Sequence, residues 1–217
     1  KSNDFYSPQN KTNDIYLTEV ETNKIYNCKL EFDYLENARD WFVIGLRTGL
    51  RVSDLLKLTK ESIDEDGYIS ITTLKTKFPV IIPLHGQVKA ILEKRNGEFP
   101  RKISDQKFND YIKIVAEEAG LTDLVEGARM DEVIIQENGK KKKIHRKTNK
   151  KYPKFELVSS HICRRTFATN LYGKLDTLAI MKITGHSTEK QFLGYIKITP
   201  KDYAKRLKKF WENQNHD

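Results

Sequence analysis

Three short strings hold the side chains best suited to chemistry: TGLRVSD at 48–54, SHICRRTFATNLY at 160–172 and ITGHSTEKQFLGY at 183–195. His161 and Arg164 stand three apart in a helical pattern, so they share a face and can converge on one ligand. A guanidinium there offers paired donors to an oxyanion, and an imidazole can move a proton near neutral pH. Cys163 points away from both and reads as a small core residue. Gly185 follows a predicted helix, where it permits a sharp turn that aims His186 outward. Singly, each has an ordinary structural reading: an Arg past a helix end is usually at the surface, a lone His is usually structural, and a Tyr such as Tyr195 is more often core. His145, His161 and His186 show no HExxH or other metal-ligand spacing. A glycine-rich phosphate loop is also missing, so nucleotide hydrolysis has no support.

These residues need elements to hold them. The apolar spacing of residues 35–48 predicts a helix with Trp41, Phe42, Gly45 and Leu46 inward, which Gly49 is placed to end in a left-handed conformation. A short helix is predicted next, with Ser53 as its N-cap. Asp66-Gly67 marks a turn, after which YISITT and PVIIPL read as a hairpin around Lys75-Thr76-Lys77. Helices are predicted at 87–95 and 105–118, the second with Phe108, Ile112, Val115 and Ala119 on one face. Short strands, VIIQ and YPKFEL, are expected on either side of a lysine-rich run, with helices following at 160–172, 176–183 and 189–195. A last helix opens at Thr199-Pro200-Lys201-Asp202 with capping-box spacing and carries Tyr203, Leu207, Phe210 and Trp211 on one stripe. Residues 1–20 are polar and aperiodic and read as a tail or linker. There is no internal repeat. The fold class expected is mainly α with small antiparallel β-hairpins (α+β).

Composition bounds the function classes. At 217 residues, 38% hydrophobic and 32% charged, the chain reads as soluble and globular, with length for one or two domains. Its longest apolar runs fall well short of the ~18 residues of a membrane-spanning helix. Two cysteines, Cys28 and Cys163, supply neither a disulfide framework nor a four-ligand zinc site, so a cytosolic setting is expected. The chain opens Lys-Ser-Asn-Asp, without Met or a secretory pattern, and reads as a fragment of a longer protein. The net charge is +9, and residues 139–154 hold nine Lys or Arg and no acid while the remainder balances at 30 against 30. One basic patch on a neutral chain points to a polyanion held at one place. Its bland reading is a solvated loop. Its functional reading is a set of phosphate contacts, whose affinity would fall with salt at a slope of about −0.9 per phosphate neutralised. Aromatic and Leu anchors are too sparse in the run to favour a membrane surface.

Taken together and in order, the strings resemble the catalytic domain of the tyrosine recombinase (phage integrase) family, across roughly residues 17–211. The family's first arginine motif matches TGLRVSD and places its arginine at Arg51, with the accompanying acid at Asp54. Its hairpin lysine, eight residues before the Pro of a V-P-L-like strand, falls on Lys75 in KTKFPVIIP. The His-x-x-Arg box matches HICR and gives His161 and Arg164, with Cys163 where many relatives carry Leu. The Gly-His box gives His186, and the nucleophilic tyrosine, nine residues on, is Tyr195. The LTEVE opening and the long basic insertion before the His-x-x-Arg box are similar to integrases of conjugative transposons and prophages.

The resemblance implies a site-specific DNA recombinase that forms a 3′-phosphotyrosyl intermediate, needing no ATP, metal or cofactor because the bond energy is conserved. A Tyr hydroxyl has an ordinary pKa near ~10, so the anion needs nearby guanidinium groups and a neutral His to take its proton. On this reading Arg51 and Arg164 grip the phosphate, Lys75 protonates the departing 5′-hydroxyl, and His161 and His186 assist proton transfer or orient the phosphate. DNA contacts are expected from Lys77, Lys140, Lys141, Lys142, Lys143, Arg146, Lys147, Lys150 and Lys151. Residues 1–20 would lead from an N-terminal DNA-binding domain, and 21–217 would form the catalytic domain with its C-terminal helix at 200–213. The implied partners are double-stranded recombination sites, a homotetramer on DNA that exchanges C-terminal helices, and DNA-bending accessory proteins. The implied location is bacterial, cytoplasmic and nucleoid-associated. Two alternatives stay open: DNA relaxation of the type IB topoisomerase kind, and a catalytically inactive DNA-binding module.

Overall fold

A stretch of helix that is apolar on every side must sit at the centre of its domain, and residues 41–46 (WFVIGL) of the helix predicted at 35–48 do. In the computed structural model, which describes residues 14–137 and 140–214, α2 runs over Asp33–Thr48 and buries Trp41, Phe42, Val43, Ile44 and Leu46 almost completely. Around it pack α1 (Glu19–Asn27), α4 (Gly86–Lys94), α5 (Asp105–Glu118) and α6 (Ser160–Leu171). The approach of α2 to α6 is set by Gly45, where a Cβ would fall 2.8 Å from Leu55 and 3.0 Å from Cys163 Sγ. Cys163 is thus a core residue, fully buried.

Gly49 ends α2 at φ 64, donating its N–H to the Gly45 carbonyl. The chain then enters α3 (Val52–Leu55), whose N-cap is Arg51 and not Ser53; Ser53 lies inside the short helix and caps nothing. Strands β1 (Tyr68–Thr72) and β2 (Pro79–Pro83) pair antiparallel from Tyr68↔Pro83 to Thr72↔Pro79. Thr73 closes the turn between them: its Oγ1 accepts the Phe78 N–H at 3.1 Å and sits 2.7 Å from Thr76 Oγ1.

Two further expectations are corrected. Residues 14–20, read as tail, belong to the body of the domain. Leu17 is fully buried and its N–H donates to Thr166 Oγ1 at 3.0 Å, while Thr18 and Glu21 form a capping box that starts α1. Residues 1–13 lie outside the described residues. The lysine-rich run, read as a loop between short strands, is itself a strand. β3 (Leu124–Glu137) and β4 (Lys140–Pro153) pair over their full length, from Leu124↔Pro153 to Glu137↔Lys140, and KFEL turns into a 3-10 segment, Lys154–Leu157. The ribbon is tied midway along its length by Asp131, whose carboxylate takes hydrogen bonds from Arg129 Nε at 2.8 Å, Tyr152 Oη at 2.6 Å and Thr148 Oγ1, with Lys150 at 3.1 Å. These donors hold the Asp131 carboxyl well below its ordinary range.

The C-terminal part is built on a second, smaller apolar cluster. α7 (Thr177–Thr184) and α8 (Glu189–Tyr195) bring Ile180, Met181, Phe192 and Ile196 onto Phe167 and Ala168 of α6. α9 (Pro200–Gln214) follows, started by Asp202 accepting the Thr199 N–H at 3.0 Å and by Thr199 Oγ1 accepting the Asp202 N–H at 3.3 Å. Its stripe is half open: Tyr203 meets the Tyr172 ring edge-on at 6.5 Å, yet Tyr203, Leu207 and Trp211 are 48, 47 and 56% exposed. The Phe210 side chain lies outside the described residues.

Candidate active site

The left-handed turn at Gly49 does two things for the site. It aims the chain so that Arg51 opens α3, and it leaves the Gly49 carbonyl to accept a hydrogen bond from Arg164 Nη1 at 2.9 Å. Arg164 is 9% exposed, and its Nη2 is buried with no hydrogen-bond partner among the described residues. A Cβ placed on Gly185 would meet that Nη2 at 3.4 Å and the Arg51 Nη1 and Nη2 at 3.7 and 3.8 Å. Two guanidinium groups therefore close on one point beside the α7–α8 turn. Burial, and then the charge of Arg51, push the Arg164 guanidinium down to about 10.

That turn carries His186. Gly185 takes φ 58, and the His186 N–H returns to the Met181 carbonyl at 3.0 Å. Thr184 Oγ1 donates to the Ile180 carbonyl at 2.6 Å, which engages its only proton, and lies 2.8 Å from His186 Nδ1. The threonine can therefore only accept from the imidazole, so Nδ1 bears the proton and Nε2 is left with a free lone pair. Burial, then Arg164 and Arg51, pull the imidazole down to about 4, so the ring is neutral at pH 7.

Tyr195, the last residue of α8, places its ring 4.9 Å from the His186 ring. Its hydroxyl donates to the His161 carbonyl at 3.3 Å. Burial raises the hydroxyl's pKa, against Arg165 and Arg164, which lower it.

Asp54 is 5% exposed, and its Oδ1 accepts the Leu74 N–H at 2.9 Å, pinning the β1–β2 turn beside α3. The same turn borders His186: Thr76 and Phe78 share a cavity of about 220 Å³ with Gly185, His186 and Ser187. Arg51, Arg164, His186 and Tyr195 are thus gathered into one cluster. The side chains of Lys75, Lys77 and His161 are exposed at its edge. On β4, Lys141, Lys142, Lys143, Arg146, Lys147, Lys150 and Lys151 are all exposed, with Lys143 paired to Glu132 at 2.8 Å. The Lys140 side chain is outside the described residues.

Two neighbours of this cluster escape motif reading. Thr184 fixes the His186 tautomer, and Arg165 sets its guanidinium carbon 4.7 Å from the centre of the Tyr195 ring. Thr184 stands two residues before His186 in ITGH, a legible position; nothing local in the sequence relates Arg165 to a ring thirty residues away.

The phage integrase family model matches residues 16–201. Among solved structures, the XerA recombinase is 18% identical with a TM-score of 0.58, over 92% of this chain and 63% of that one. A lambda integrase dimer bound to a core site is 20% identical with a TM-score of 0.57, over 84% of this chain and 59% of that one. The Tn1549 transposon integrase in complex with circular intermediate DNA is 16% identical with a TM-score of 0.50, over 89% and 64%. The chain spans about three fifths of the length of these proteins, and the likeness extends to their fold. No curated protein matches it.

Proposed function

The chain belongs to the phage integrase family, and from that premise we propose that it cuts and rejoins DNA through a covalent bond between a DNA phosphate and Tyr195. The observation that carries the reading is the convergence of Arg51 and Arg164 on Gly185, beside His186 and Tyr195. Two buried or half-buried cations at one point, one with an unused donor, suit the oxygens of a phosphodiester.

In this mechanism the two arginines bind the non-bridging oxygens and stabilise charge as it builds on them. The Tyr195 oxygen attacks phosphorus and its proton passes to His186 Nε2, the unprotonated nitrogen of a neutral ring. The bond to the 5′-oxygen breaks, and Lys75 donates a proton to that oxygen. General acid catalysis of this kind is worth typically ~10²–10⁴-fold. The product is a 3′-phosphotyrosyl ester and a free 5′-hydroxyl. A 5′-hydroxyl of a second strand then attacks phosphorus and gives its proton to the neutral Lys75, the bond from phosphorus to Tyr195 breaks, and His186 returns its proton to the departing Tyr195 oxygen, which completes the exchange and resets both groups. Asp54 holds the Lys75 turn in place through Leu74. His161 borders the phosphate. The β4 lysines hold the flanking duplex, and the exposed stripe of α9 docks on a neighbouring subunit when the protein assembles as a tetramer on mobile-element DNA.

The test needs no knowledge of the target sequence. Wild type and Tyr195→Phe are incubated with supercoiled plasmid in EDTA and scored for relaxed topoisomers and a denaturant-resistant protein–DNA adduct. Adduct in wild type alone supports the proposal. An adduct that persists in Tyr195→Phe refutes the assignment of the nucleophile.

A further inference from the structure

Arg165 belongs to none of the matched positions, yet it is as firmly held as they are. Its side chain is 12% exposed, its Nη2 donates to Asp14 Oδ2 at 3.0 Å, and its Nε is buried without a hydrogen-bond partner among the described residues. Four residues after His161, it shares that residue's face of α6. The Tyr195 ring consequently lies across the start of α6. Its hydroxyl rests on the His161 carbonyl, and its face rests on the Arg165 guanidinium at 4.7 Å. Asp14 sits in the segment ahead of α1, which Leu17 fixes to Thr166, the residue after Arg165.

We propose that Arg165 is a positioning residue for the Tyr195 nucleophile and that Asp14 fixes its guanidinium, so that the placement of the segment ahead of α1 reaches the reacting hydroxyl. The proposal rests on the reading of Tyr195 as nucleophile. A flat cation held against the ring face restricts the ring to one tilt while leaving its edge, and the hydroxyl, open to a phosphate. The charged and titratable residues around Tyr195 are His161, Arg164 and Arg165 on α6, His186 before α8 and Asp14 ahead of α1, with the Cys163 thiol buried in the core behind them. Of the cations among these, Arg165 most opposes the rise that burial imposes on the hydroxyl.

The experiment labels the protein with 3-fluorotyrosine and identifies the Tyr195 fluorine resonance by its loss in Tyr195→Phe. Its shift is followed against pH, and the rate of covalent adduct formation on supercoiled plasmid is measured over the same range. Arg165→Gln is expected to displace the resonance, raise its titration midpoint and slow adduct formation by roughly tenfold, the size of one desolvated cation–π contact, with plasmid affinity unchanged. Arg165→Lys, which keeps the charge and loses the flat face, recovers part of the midpoint. Asp14→Asn changes a partner that is about one-third exposed, keeps the fold, and displaces the resonance as well. A resonance and midpoint unmoved in both Arg165→Gln and Asp14→Asn overturn the proposal, as does an unchanged adduct rate in Arg165→Gln. Should Arg165→Gln fail to fold, Arg165→Lys and Asp14→Asn decide by the same readouts. Absence of adduct in wild type is a failure of the nucleophile reading, and the resonance still reports the contact.

Discussion

Replacing Gly49 by Ala tests whether the end of α2 is as constrained as the site requires. An Ala held at φ 64 gives up about 1–2 kcal/mol relative to Gly. Its Cβ would also fall 2.6 Å from Phe167 Cδ1, 2.8 Å from Cγ and 3.1 Å from Cβ. Phe167 is 7% exposed and sits in the second apolar cluster, so it cannot swing clear, and overpacking of this kind costs about 1–3 kcal/mol. The stiffer unfolded chain returns about 0.4–1 kcal/mol. The net loss expected is about 2–4 kcal/mol, or about 5–15 °C in Tm for a domain of this size. Gly67→Ala is the internal control: it has φ 78 with nothing within 4 Å, so it should lose only about 1 kcal/mol. Urea melts of the two variants and wild type make the comparison. A Gly49→Ala loss no larger than that of Gly67→Ala would refute the packing argument, and with it the claim that this turn is held rigidly beneath Arg164.

Three further outcomes are expected. His186 is pulled to about 4 in the fold and returns to its ordinary 6.5 when unfolded, so between those values the unfolded chain binds a proton that the folded one refuses. Stability therefore falls as pH falls through that window, and melts at pH 7 and pH 5 should show a smaller loss in His186→Gln than in wild type. Asp54→Ala removes the acceptor of the partly buried Leu74 N–H and should cost about 0.5–1.5 kcal/mol in urea melts, whereas Asp54→Asn keeps an acceptor and should cost less. Changing Lys141, Lys147 and Lys151 to Gln on one face of β4 should flatten the salt dependence of plasmid binding, by about 0.9 in slope for each phosphate that is no longer neutralised. An unchanged slope would place the DNA elsewhere.

Local pattern carried much of this structure. The stop at Gly49, the hairpin at 68–83, the helix at Asp105–Glu118 and the capped start of α9 all rest on signals a few residues long. Where the reading failed, the cause was tertiary. EVETNKIYN has little apolar periodicity, and α1 is held by its capping box and by Ile25 and Leu17 docking on distant helices. A run of lysines has poor strand propensity; it becomes β4 because β3 supplies the partner and Asp131 the tie. At the candidate site, residue types and spacing singled out Arg51, Arg164, His186 and Tyr195, which the fold brings side by side. The contact of Arg165 with Tyr195 depends on how α8 falls across α6, which no local pattern records.

The division of the apolar interior into a large cluster around α2 and a small one beneath α7 and α8 has a dynamic consequence. Arg51 and the Gly49 carbonyl belong to the first, whereas Tyr195 and His186 ride on the second. A cooperative unit with so little buried surface opens at a lower free energy than the whole domain. Amide hydrogens of α7 and α8 should thus exchange sooner than those of α2. In such an opening Tyr195 withdraws and returns while Arg51 and Arg164 keep their places, so under the proposed reaction the lifetime of a bound phosphate and the arming of the tyrosine are governed by separate equilibria.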